Sequence, residues 1–152
     1  MRRSTTLLTA TALAVGFATA GFAGVATAGE QLSKQQFLKA GNSICKAANQ
    51  GINAVFEEAY AGLDQNTQPP PAAVEAAVGG AIPIFRDALA SIDELKGPAS
   101  LEKSVGKLID QYNAVVDKLE ADPQLAVTQN DPFAKADKVA RKIGLKECGQ
   151  GG

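Results

Sequence analysis

Two thiols, three acidic pairs and a row of side-chain amides are the groups in this sequence whose types and spacing could do chemistry. Cys45 lies in the first amphipathic segment and Cys148 close to the end. In an exported chain two such cysteines are most simply a disulfide, because oxidising compartments retain the bond. A bridge there would close a loop of roughly 100 residues, which the chain-entropy view values at about 4 to 5 kcal/mol. That is comparable with the whole stability of a small domain.

The sequence contains no histidine. This removes Ser-His-Asp and Cys-His nucleophiles, the HExxH zinc site, the di-iron Glu-x-x-His motif and His-ligated haem. No P-loop or dinucleotide fingerprint occurs, since Gly79-Gly80 sits inside a helical pattern without the required spacing. The acidic pairs are Glu57-Glu58, Asp93-Glu94, and Glu120 with Asp122. Adjacent helix residues point about 100° apart, so neither of the first two pairs converges by itself. A carboxyl acting as an acid also needs burial or a close like charge to raise its pKa. All these acids fall on predicted polar faces and are read as solvated surface.

Asn42, Asn49, Asn53 and Tyr60 lie along one margin of the first helix's apolar face, with Tyr112 and Asn113 available from the third helix. Such a row could hydrogen-bond a ligand in a groove between helices. The competing use is at the core boundary, satisfying backbone or water. Tyr60 or Tyr112 could in principle ligate ferric haem. With neither a histidine partner nor a pocket motif, no cofactor and no metal are assigned.

The elements that must position these groups are helical. Ser33 and Gln36 form an S-x-x-Q capping box, and Phe37, Gly41, Ile44, Ala48, Ile52, Val55 and Ala59 continue at spacings of three and four. Cys45 and Phe56 widen this stripe, which turns the thiol toward the core or its margin. Gly62 and the polar, proline-rich run through Pro71 end the first helix and connect it to the next. The second helix starts near Pro71, a tolerated first-turn position, and runs to Leu95. Gly79-Gly80 followed by Pro83 predicts a kink or break within it. Lys96-Gly97-Pro98 stops it.

Leu101, Val105, Leu108, Tyr112, Val115 and Leu119 make the third and cleanest stripe. Asp122-Pro123 begins a short helical turn through Val127. Asp131-Pro132 starts a last helix with Phe133, Ala136, Val139 or Ala140, and Ile143 inward, ending at Gly144. No segment alternates with period two for long enough to predict a strand. The expectation is an all-α, up-down-up-down four-helix bundle with one disulfide joining the first helix to the C-terminal tail. Lys135, Lys138, Arg141, Lys142 and Lys146 make the last segment basic, against only Asp137 and Glu147. These lysines are read as the polar face of an amphipathic helix, with cations suited to its C-terminal dipole.

The N-terminus places Arg2-Arg3 before an uncharged apolar stretch and then Ala26-Thr27-Ala28. A basic start, an apolar centre and an A-x-A site predict a signal peptide over residues 1–28, cleaved after Ala28, and a single domain over 29–152. The competing reading is an uncleaved anchor. The stretch is rich in Gly, Ala and Thr rather than Leu and Ile, which argues against it. Losing Arg2 and Arg3 makes the remainder more acidic than the formal charge of −1 for the whole chain. Nucleic acid, which needs a basic surface, is therefore not an expected partner.

With Asn42-Ser43-Ile44-Cys45-Lys46-Ala47-Ala48-Asn49 in its first helix, a Pro-rich connection, and a terminal Gly144-Leu145-Lys146-Glu147-Cys148-Gly149, the chain resembles small secreted or lipoprotein-like helical proteins of actinobacteria. The resemblance implies a helical, disulfide-tied exported domain and brings no activity with it. Unlike the lipoprotein members, this chain has no cysteine for lipidation after its apolar stretch. The function expected is a non-enzymatic exported bundle that binds an envelope protein or a small apolar ligand. The alternatives are a purely structural interaction module and, less favoured, a hydrolase using two convergent carboxylates.

Overall fold

The computed structural model describes residues 31–64, 66–128 and 131–150. The expected signal peptide and its cleavage after Ala28 lie outside them. Five helices follow in order: α1 Lys34–Ala59, α2 Pro71–Glu94, α3 Ala99–Ala121, the single turn α4 Leu125–Thr128, and α5 Ala134–Ile143. A 3-10 turn, Cys148–Gln150, closes the described chain. No strand occurs among the described residues, and none of their helices is long and apolar enough to cross a membrane.

Helix α1 starts where the capping box predicts. The Ser33 hydroxyl accepts the Gln36 N–H, while the Gln36 side chain accepts the Ser33 N–H at 3.0 Å. Helix α2 opens with Pro71 at its first position. Helix α1 packs on α2, α2 on α3 and α3 on α5, and the closing turn touches both α5 and α1. The core between them includes Phe37, Val74, Ile92, Leu108, Val116 and Leu145, all nearly inaccessible to solvent. This is the helical bundle the apolar stripes require, with α5 shorter than α1, α2 and α3.

Pro83 does not break α2, which stays helical from Pro71 to Glu94. The hydrogen bond that proline cannot make would have gone to the carbonyl of Gly79. Gly79 is exposed, so water can take its place. The second glycine has a different role. A Cβ on Gly80 would sit 2.6 Å from Cγ1 of Val55, so its bare backbone permits the close approach of α1 and α2.

The last helix begins at Ala134 rather than directly at Pro132. Asp131, in the left-handed region at φ 37°, accepts the Phe133 N–H through its carboxylate and turns the chain before the helix starts. Gly144, at φ 102°, ends α5 and sends Leu145 back into the core.

Candidate functional site

The two sulfurs form the expected disulfide, Cys45–Cys148, across a sequence separation of 103 residues. Around it α1 holds the tail by hydrogen bonds from two of its amides. Asn42 Nδ2 donates to the Leu38 and Gly144 carbonyls at 2.8 and 3.0 Å, and Asn42 Oδ1 accepts the Glu147 N–H at 2.9 Å. Asn49 Nδ2 donates to the Glu147 carbonyl at 2.8 Å. Gly41 lies against Leu145 so closely that a Cβ would meet its side chain at 2.6 Å. From α5, the Arg141 guanidinium donates to the Gly149 carbonyl.

From α3, Tyr112 reaches the same tail. Its ring is buried, and its hydroxyl lies 2.7 Å from Asp137 Oδ1 and 2.5 Å from the Cys148 carbonyl. A phenol has one hydrogen to give. Since a carbonyl can only accept, both contacts are hydrogen bonds only if Tyr112 donates to Cys148 and a protonated Asp137 donates to Tyr112. Asp137 is 1% exposed. Burial pushes its pKa above the ordinary carboxylate value, and the charge of Asp131 pushes the same way, while Tyr112 and Arg141 oppose. Burial likewise pushes the Tyr112 phenol well above its ordinary value. A neutral carboxylic acid satisfies both demands.

Beside this anchored tail, the margin of α1 opens onto a cleft of about 470 Å³. Its walls are mainly apolar, including Ile52 and Phe56 of α1, Ile82 and Phe85 of α2, and Phe133 ahead of α5. Phe85 and Phe133 stack with ring centroids 5.0 Å apart, and each also lies near the Tyr112 ring, at 6.3 and 5.9 Å. Three amide side chains, Asn49, Asn53 and Gln150, supply its polar groups. A volume of this size, apolar walls and a few polar groups are the ordinary features of a small-molecule site.

A second, more polar hollow of about 630 Å³ adjoins the first, sharing Asn53 and Phe56 with it. Tyr60 is in its wall, edge-on to Phe56 at 5.6 Å. The Tyr60 hydroxyl is shielded from solvent and has no hydrogen-bond partner among the described residues, and burial raises its pKa.

The row of residues proposed from the sequence is thus divided. Asn42, Asn49 and Tyr112 converge on the tail, whereas Asn53 and the shielded Tyr60 belong to cavity walls, with Asn49 contributing to both regions. Asn113 is half-buried on α3 and lines neither cavity. The acidic pairs are exposed at every position. Glu120, with Asp117, instead holds Arg86 in an exposed link between α3 and α2.

Asp137, assigned no role from the sequence, belongs to the core. Its signal is the spacing Phe133, Asp137, Ala140, a stripe of four and three that an acidic residue interrupts in type but not in position. The chain matches no protein-family model, no curated protein and no solved structure.

Proposed function

We propose that this chain is an exported, non-enzymatic helical protein that holds a small apolar ligand in the cleft between α1, α2 and Phe133. One observation carries the reading: a ligand-sized cavity of about 470 Å³ walled by Phe56, Phe85, Phe133 and aliphatic side chains. Export is supported by the basic-then-apolar N-terminus ending in Ala26-Thr27-Ala28 and by the disulfide, which suits an oxidising compartment. The exposed acidic pairs give no reason to assign a catalytic group.

Straight-chain alcohols of increasing length test the reading by calorimetry and thermal shift. Each added methylene should tighten binding about fourfold until the cleft is full, since burying one is worth about 0.8 kcal/mol. Saturating alcohol should also raise the melting temperature. Ala126→Trp places a bulky ring at the cleft wall on α4 and should abolish binding while leaving the helical circular dichroism unchanged. Absence of binding at every chain length removes the reading and leaves the interaction module in its place.

A further inference from the structure

We infer that the ligand is an amphiphile with a cationic, amine-bearing head, its chain in the apolar cleft and its head in the adjoining hollow. This inference rests on the proposed apolar site and names the class of molecule it takes. The two cavities share Asn53 and Phe56 in their walls and so lie side by side, which is the placement one molecule needs to occupy both. They differ in chemistry. Beyond Phe56 the walls bring in Glu57, Tyr60, Asp64 and Thr67, and no lysine or arginine is among the described lining residues.

A head group placed there meets two carboxylates and, among the described lining residues, no compensating cation. An anionic head is repelled and an ammonium attracted, with the attraction moderated by solvent at these exposed positions. Hydrogen bonding points the same way. An ammonium offers three N–H donors and no acceptor. The Asn53 side chain has an amide oxygen free of any intramolecular bond among the described residues, and Glu57 and Asp64 add carboxylate oxygens. One oxygen of Asp64 is engaged with the backbone and side chain of Asn66, which fixes the carboxylate at the edge of the hollow.

The experiment compares three molecules with the same chain, dodecylamine, 1-dodecanol and dodecanoate, binding to the disulfide-bonded chain at pH 7 and low salt, each below its aggregation concentration. The amine should bind about tenfold more tightly than the carboxylate, with the alcohol between them. Glu57→Gln, at an exposed helical position, should narrow that gap, and Glu57→Gln with Asp64→Asn should close most of it without changing alcohol affinity. High salt should narrow it too. Carboxylate binding as tight as the amine's, or a gap the double variant leaves unchanged, overturns the head-group assignment while the alcohol still reports an intact apolar site. If none of the three binds, the apolar site itself is lost.

Discussion

Asn49 and Asn53 stand one turn apart on α1, and the structure uses them differently. Asn49 spends its amide on the Glu147 carbonyl and helps to pin the tail. Asn53 lines open space in both cavities. The division runs through the whole molecule. At one end a disulfide, two asparagines, a tyrosine and a buried acid fix the tail against the bundle. Beside it, with Asn49 and Gln150 at the boundary, aromatic and amide side chains of the same types line cavities. Local side-chain chemistry alone does not decide which asparagine is structural; a returning backbone segment does.

Breaking the anchored end should have the largest effect. Reduction of the disulfide, or Cys45→Ala with Cys148→Ala, is expected to cost up to about 4 to 5 kcal/mol, measured as the difference between denaturant midpoints with and without reductant. Next, Tyr112→Phe deprives the Cys148 carbonyl and Asp137 of their shared partner, an expected loss of about 1 to 3 kcal/mol. Asn49→Ala leaves the Glu147 carbonyl without its side-chain donor and should cost about 1 kcal/mol or more. Asn53→Ala should stay within about 0.5 kcal/mol of the parent. If the two alanine variants unfold alike, the distinction between the ends is wrong.

The glycine pair sharpens the same contrast at smaller scale. Gly80→Ala must displace Val55 and is expected to destabilise by about 1 to 3 kcal/mol. Gly79→Ala meets open space and should stabilise by up to about 1 kcal/mol through helix propensity.

Asp137 makes the anchored end sensitive to pH, with a definite sign. Its folded-state pKa lies above the ordinary value of 3.8. The folded protein therefore holds this proton over a pH range in which the unfolded chain has released it. The contribution is full below the ordinary value and is lost as pH rises through the folded-state pKa. Asp137→Asn should remove that decline, since its amide can donate to Tyr112 as the neutral acid does. Denaturation curves for parent and variant, compared from pH 3 to 7, check this; a parent whose stability from this group rises over that range would refute the protonated assignment.

Much of the architecture was legible because apolar spacing and terminators are local. Ser33 with Gln36, Pro71, Gly97-Pro98 and Gly144 mark helix ends through backbone chemistry that nearby residues determine. The disulfide was legible from cysteine number and the expected export signal. The roles of Gly80 and Asp137 were not, because they depend on what a neighbouring helix presents: Val55 against the glycine, Tyr112 against the acid. Of the kink or break expected at Pro83, the break does not occur, and the missing hydrogen bond falls at an exposed position. The candidate row on α1 was found by its periodicity, but its division required knowing where the tail returns.

The most direct test of the divided molecule is a titration of the isotope-labelled, disulfide-bonded chain with 1-dodecanol, followed by amide chemical shifts. Saturable shifts should be concentrated at Asn53, Phe56, Ile82 and Phe85, with Asn42, Leu108 and Ile143 unmoved. Shifts centred instead on Asn42, Gly144 and Leu145, or no saturable shift at all, would contradict a ligand cleft between α1, α2 and Phe133.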